Sequence, residues 1–130
     1  MRYLGIDYGD KKIGLAFGDS EAGVAVPLEV IQNTGDDIQQ KIADRIKSEQ
    51  IDEVVIGVPL STVEGPGSPQ LEKTRSFIKQ LQEVVSIPVH EEDERYTTAE
   101  SIRLQREEGA EAADDALAAM LVLQAYLDQN

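Results

Sequence analysis

The sequence contains no cysteine and no tryptophan, and aromatic residues make up only 5% of it. Without cysteine there can be no disulfide, no zinc–thiolate site and no cysteine nucleophile. The low aromatic content gives no sign of a stacking platform for single-stranded nucleic acid. No apolar run approaches the roughly 20 residues of a membrane-spanning helix, and the first residues lack a signal-peptide profile. We therefore expect a cytoplasmic protein without membrane association.

Basic residues are also scarce, since 12 Lys and Arg stand against 25 Asp and Glu and the net charge is −13. Proteins that bind nucleic acid usually carry a basic patch, and none is evident in the sequence. Two interpretations stay open. The acidity is either a solvated surface that leaves a local basic strip in the folded chain, or a sign that the protein does not bind nucleic acid. Charge alone favours the second.

The hydrophobic pattern predicts one domain over residues 1–130, of class α/β. A chain of this length buries roughly two thirds of the surface that its unfolded form exposes. Strands are predicted at 2–8, 11–17, 24–31, 54–58 and 87–91, and helices at 36–50, 68–85, 97–108 and from 114 or 115 to 128. The first three strands form an antiparallel meander, and the fourth reads as a central parallel strand. The fifth carries Pro88 and is expected near an edge. The whole is a five-stranded mixed sheet with helices on its faces.

An acidic residue, Asp7, lies on the first predicted strand among Tyr3, Leu4 and Ile6, where burial is expected. A buried carboxylate without a partner costs several kcal/mol, and a metal ion is one good partner. The alternative is an Asp on the solvent side of an alternating strand. This signal alone leaves the two interpretations level.

Two further acidic signals lie far along the chain. Glu94 falls in the charged segment 90–95 after the fifth predicted strand, where a solvated loop is the commoner meaning. Asp114 and Asp115 precede the last helix, and one of them is expected to cap it. Hydrolysis of a phosphodiester with hard divalent cations needs several carboxylates in one small space. The three signals amount to a metal site only if the fold brings them together.

Some basic residues are candidates for phosphate contacts. Lys11 and Lys12 lie in the predicted hairpin, and Arg95 follows Glu94, although exposed lysines are ordinary and Arg95 has acidic neighbours. The segment 7–14 also looks like the phosphate hairpin of actin-like ATPases and sugar kinases. Those proteins clamp a nucleotide between two lobes, and 130 residues have room for one. His90, the only histidine, is assigned no role.

Four blocks of sequence together carry a resemblance to a known family. The chain resembles the ribonuclease H-like fold and, within it, the YqgF family, over nearly its whole length. That family is described as Holliday-junction-resolvase-like and as nucleases that mature the 5′ end of the small-subunit ribosomal RNA precursor. The matching blocks are 4–9 with 13–16, 55–60 with Gly65, 93–98, and Asp115 with 118–127.

The resemblance implies a nuclease that uses Mg²⁺ or Mn²⁺, with Asp7, Glu94 and Asp115 as catalytic acids and metal ligands. Counting back from Tyr126 selects Asp115 over Asp114. Two cations about 4 Å apart would activate water and stabilise the leaving oxygen. The expected substrate is ribosomal RNA precursor, with branched DNA, as for a Holliday junction resolvase, as the alternative.

The chain also departs from the family pattern. Asp10 stands where the family often has Thr, and the connection 106–113 is acidic where relatives often carry basic residues. Because phosphate contacts dominate affinity for nucleic acid, unaided binding is expected to be weak. A rival from another class is therefore kept: a catalytically weak or inactive module of this fold that acts through a protein partner. Monomer and homodimer are both open.

Overall fold

The computed structural model describes residues 1–34, 37–59, 69–94 and 113–129. The predicted helix 97–108, Arg95, Gly65 and the side chain of Asp114 lie outside the described residues. Within them, no helix is long and apolar enough to cross a membrane.

The sheet has five strands in the order β3-β2-β1-β4-β5. The strands are β1 (Arg2–Tyr8), β2 (Lys12–Asp19), β3 (Val24–Gln32), β4 (Glu53–Val58) and β5 (Val89–Asp93). The first three are antiparallel neighbours, whereas β4 runs parallel to both β1 and β5. The predicted mixed sheet is confirmed, with β4 inside it and β5 at an edge.

Three helices are described: α1 (Ile38–Ser48), α2 (Pro69–Val84) and α3 (Ala113–Gln129). The apolar stripe predicted for α1 is confirmed, since Ile38, Ile42 and Ile46 are all buried. Both α1 and α2 pack on one face of the sheet, where they enclose the larger hydrophobic core with Leu4, Ile6 and their neighbours. The opposite face is covered by α3, which contacts every strand.

The predicted fifth strand, 87–91, was displaced by two residues. Proline has no N–H to donate to a strand ladder, so pairing begins at Val89, opposite Val54. The strand then continues through Glu92 and Asp93, which pair with Gly57 and Val58. Acidic residues are uncommon in strands, and sequence periodicity therefore ended this one too early.

Small residues line the sheet face beneath α3. This core contains Ala16, Ala118 and Ala119, and a Cβ added to Gly5 would lie 2.8 Å from Leu123 Cβ and 2.9 Å from the Ala119 carbonyl oxygen. The helix therefore approaches the strands closely where these small residues face each other. This close approach sets the position of every residue on α3.

Gln124 of α3 fixes the free edge of β3. Its Oε1 accepts a hydrogen bond from the Ala25 N–H at 2.9 Å, and its Nε2 donates one to the Gly23 carbonyl at 2.8 Å. The amide thus takes the place of a neighbouring strand for these two backbone groups.

We expect Gln124→Leu to lower the free energy of unfolding by about 1–3 kcal/mol, because it leaves the part-buried Ala25 N–H without a hydrogen-bond acceptor. Urea denaturation would measure the change. Gln39→Leu is the matched control, since Gln39 bonds only to the exposed side chain of Gln80 among the described residues. Equal losses in the two variants would contradict the role given to Gln124.

Candidate active site

Asp7 lies near the end of β1, on the face of the sheet that α3 covers. It pairs with Gly14 of β2 and is 0% exposed. The burial predicted from its apolar neighbours is confirmed, and the alternative of a solvent-facing Asp is wrong. A carboxylate in such a place requires compensating partners.

Asp115 comes to the same place from α3. It is 0% exposed, and its backbone carbonyl rests on Gly14, where an added Cβ would come within 1.9 Å of the Asp115 oxygen. Because Gly14 is the pairing partner of Asp7, the two acids lie at neighbouring positions. The helix begins at Ala113, one or two residues before the predicted start at Asp114 or Asp115. Asp115 lies in the first turn and is not its cap.

Glu94 lies on the same face of the sheet, over β4, whereas Asp115 lies over β2. Glu94 directly follows β5 and is 1% exposed, so the interpretation of this residue as part of a solvated loop is wrong. Its Oε1 lies 2.8 Å from the position that a Cβ on Gly57 would occupy. The β1–β4 register pairs Ile6 with Ile56, and its continuation by one residue places Gly57 beside Asp7.

The fold thus brings the three predicted acids to one end of the α3 face, around the row Gly14–Asp7–Gly57. In the four described segments, no three Asp, Glu or His side chains are arranged as a ready metal-ligand set. The chemistry of the donors nevertheless fits a hard divalent cation, which prefers carboxylate oxygens. None of the three acids is more than 1% exposed. Gly57 leaves space for the Glu94 carboxylate that a side chain would fill, and Gly14 leaves such space for the backbone of Asp115.

Glu92 is a fourth buried acid that the sequence prediction missed. It is 7% exposed and faces α3, where Gln129 donates a hydrogen bond to it. Burial raises its pKa; the hydrogen bond from Gln129 opposes this shift, and the nearby charge of Asp93 adds to it. The alternation of His90, Glu92 and Glu94 is a period of two that could have placed all of them on one face.

His90 lies away from Asp7, Glu94 and Asp115, beside the C-terminal part of α3. It contacts the Glu53 carboxylate and stacks on Tyr126 with ring centroids 5.5 Å apart. Tyr126 in turn meets Tyr3 edge-on at 5.6 Å, and burial raises the pKa of both tyrosines.

The rim beside Asp7 carries cationic side chains. Lys11 is exposed in the β1–β2 connection and Lys12 is half-buried at the start of β2. A third cation, Lys73 of α2, lies 3.4 Å from Asp10 Oδ1. Lys73 was not among the candidates from the sequence, because it lies 63 positions from Asp10 and only the fold brings it to this connection.

Comparison with known families decides where this arrangement belongs. The family model RuvX, described as Holliday junction resolvase, matches residues 1–129. The chain belongs to the RuvX family. RuvX and YqgF denote the same family, so the resemblance found in the sequence is confirmed.

Other members of the RuvX family are similar along their whole length. A protein of Ruminiclostridium cellulolyticum, named as a candidate pre-16S rRNA nuclease, is 34% identical over 99% of this chain and 95% of its own. One of Desulforudis audaxviator with the same name is 37% identical over 100% of this chain and 96% of its own.

Solved structures share the ribonuclease H-like fold of this RuvX chain at low sequence identity. Thermus thermophilus RuvC in complex with a Holliday junction superposes with a TM-score of 0.63 at 15% identity, covering 99% of this chain and 95% of that one. The fowlpox virus Holliday junction resolvase gives 0.60 at 14% identity, covering 100% of both chains. The predicted fold class is confirmed.

Proposed function

We propose that this RuvX-family chain is a nuclease that depends on a divalent cation and matures the 5′ end of the small-subunit ribosomal RNA precursor. The observation that carries the proposal is the arrival of three buried acids, from β1, from the end of β5 and from α3, at one end of one sheet face. Structural carboxylates alone rarely collect in a core, because each costs free energy to bury. The names of the similar family members support the choice of substrate.

Asp7, Glu94 and Asp115 would hold Mg²⁺ or Mn²⁺. Such a cation, when bound, lowers the pKa of a coordinated water and neutralises charge that develops on the phosphate and leaving oxygen. Asp7 is the central ligand, since it lies between the glycine against which Asp115 packs and the glycine over which Glu94 lies. The backbone of α3 holds Asp115 in place against β2. Lys11, Lys12 and Arg95 are proposed contacts for the phosphates of the substrate.

Branched DNA is the second candidate substrate. The family description names Holliday junction resolvases, and one fold neighbour holds a Holliday junction. We favour RNA because the relatives with 34% and 37% identity carry the pre-16S rRNA name, whereas the neighbour with a junction is only 15% identical.

The setting of the activity is also a proposal. We place one nuclease domain over residues 1–130, acting in the cytoplasm as a monomer or homodimer. The net charge of −13 opposes long-range attraction of nucleic acid, so high Mg²⁺ or a protein partner is expected to assist binding.

The test offers the purified chain two substrates under one Mn²⁺ and salt condition: an RNA fragment with the 5′ extension of small-subunit rRNA, and a four-way DNA junction. Cleavage of the RNA is expected. In parallel, Mn²⁺ at about a hundred times its Kd should stabilise the fold by about 2.7 kcal/mol. Cleavage of the junction alone would transfer the proposal to branched DNA. If the chain cleaves neither substrate and shows no thermal shift with Mn²⁺, the remaining candidate is the catalytically weak or inactive module that acts through a protein partner.

A further inference from the structure

Lys73 of α2 and Asp10 of the β1–β2 connection form an ion pair at the end of the sheet where Asp7 lies. Lys73 Nζ lies 3.4 Å from Asp10 Oδ1, and their side chains are 55% and 57% exposed. An ion pair this exposed is weak and exchanges readily with other charged groups. Both groups are therefore accessible to a large charged ligand.

The backbone position of Lys73 is set by core packing and does not depend on the ion pair. One turn further along α2, Phe77 stacks on Tyr8 with ring centroids 4.6 Å apart. Residues four apart lie on the same side of a helix, so Lys73 lies over the chain just beyond Tyr8. Neighbouring residues of a strand point to opposite faces of the sheet, so Tyr8 faces α2 whereas Asp7 faces α3. Lys73 therefore lies at the same end of the sheet as Asp7, on the α2 side.

The connection that carries Asp10 is held from its other side by Asn33. The Asn33 side chain donates a hydrogen bond to the Gly9 carbonyl at 2.9 Å, and its backbone N–H donates to the Lys11 carbonyl at 2.8 Å. Asp10 thus lies on a fixed connection between the exposed Lys11 and the Lys73 ammonium.

We propose that Lys73 is a further substrate contact, which exchanges the Asp10 carboxylate for a backbone phosphate when nucleic acid binds. The inference rests on the proposed nuclease function. A nucleic acid whose scissile phosphate lies at Asp7 extends past this end of the sheet, where the phosphates next along its strand would come within reach of Lys73. Each phosphate that a cation neutralises releases counterions into solution, a gain that the Asp10 carboxylate does not give. Asp10 therefore competes with the substrate for this cation.

The test compares Lys73→Gln, Asp10→Asn and the control Lys79→Gln, which alters another exposed lysine of α2. We expect Lys73→Gln to raise KM about fivefold at low salt, and to reduce the slope of log affinity against log salt by about one. The kcat should not change. Asp10→Asn should lower KM, because it frees Lys73 and removes a charge that repels phosphate.

The opposite effects of Lys73→Gln and Asp10→Asn on KM distinguish a substrate contact from a purely structural ion pair. A structural pair would make Lys73→Gln and Asp10→Asn both lower the melting temperature and leave KM at the wild-type value, which would overturn the inference. A wild-type chain that cleaves, with Lys73→Gln indistinguishable from Lys79→Gln, refutes this contact alone. A wild-type chain that neither cleaves nor binds either nucleic acid in a salt-dependent manner refutes the proposed function as well.

Discussion

Asp7→Asn should reduce kcat/KM for cleavage by at least about a hundredfold, since removal of even an outer partner of a metal ligand costs about 10–100-fold. The amide has the size of the carboxylate, so the packing of α3 on β1 should survive. It lacks the negative charge that a hard divalent cation requires. Single-turnover cleavage at saturating Mn²⁺ would measure the loss.

The same substitution should not lower the stability of the metal-free protein, although it lowers the activity. Without metal, Asp7→Asn removes one of three acidic groups buried at the same end of the sheet face, so the melting temperature should stay equal or rise. With Mn²⁺, the thermal shift of the wild type should be absent. Asp44→Asn on the exposed side of α1 is the control and should match the wild type in both measurements. Wild-type cleavage by Asp7→Asn would exclude Asp7 from the metal site.

Gly14→Ala should have the largest effect on stability. The added Cβ would lie 1.9 Å from the Asp115 oxygen and 2.3 Å from its carbonyl carbon. These are backbone atoms of a helix, and no side-chain rotation relieves the clash. Overpacking commonly costs about 1–3 kcal/mol, and sometimes more; we expect about 3 kcal/mol or more here. Urea denaturation would measure it.

Gly18→Ala provides the matched control on the same strand and face. Its added Cβ would lie 2.9 Å from Leu123 Cδ2, the end of a flexible side chain that can turn aside. Gly18→Ala should therefore cost clearly less than Gly14→Ala and retain cleavage, whereas Gly14→Ala should lose it as Asp115 moves. Equal costs for the two variants would show that α3 shifts freely on the sheet.

Much of the fold was predictable because several elements have either one strong period or an unbroken apolar run of strand length. The stripe of Ile38, Ile42 and Ile46, and the apolar run of β4, each fit only one type of structure. The strand β5 was misplaced because its second half is acidic and is held in the sheet by pairing with Gly57 and Val58 of β4. That stabilisation comes from a strand far away in the sequence, and the local hydrophobic pattern contains no information about it.

The convergence of the acids was not predictable from the residues alone. The sequence showed acidic signals at Asp7, around Glu94 and at Asp114 with Asp115, and the family resemblance selected Asp7, Glu94 and Asp115 as the catalytic acids. Their meeting depends on Gly14 and Gly57, which in sequence look like ordinary small members of alternating strands. Glu92 was missed for the same reason as the end of β5. The importance of the two glycines arises from what packs on them, and only the three-dimensional arrangement contains that information.

The close packing of α3 on the glycines of the sheet also affects the order of folding. The β1–β2–β3 meander is built from local contacts and can form early, while the docking of α3 must close a long stretch of chain. Asp7 is present in such an intermediate, but Asp115 is not yet beside it. If α3 detaches as a cooperative unit, the chain loses its acidic cluster while the meander persists. Activity would then require α3 to be docked on the sheet. Amide hydrogen exchange in α3 and the loss of activity would both follow this docking equilibrium.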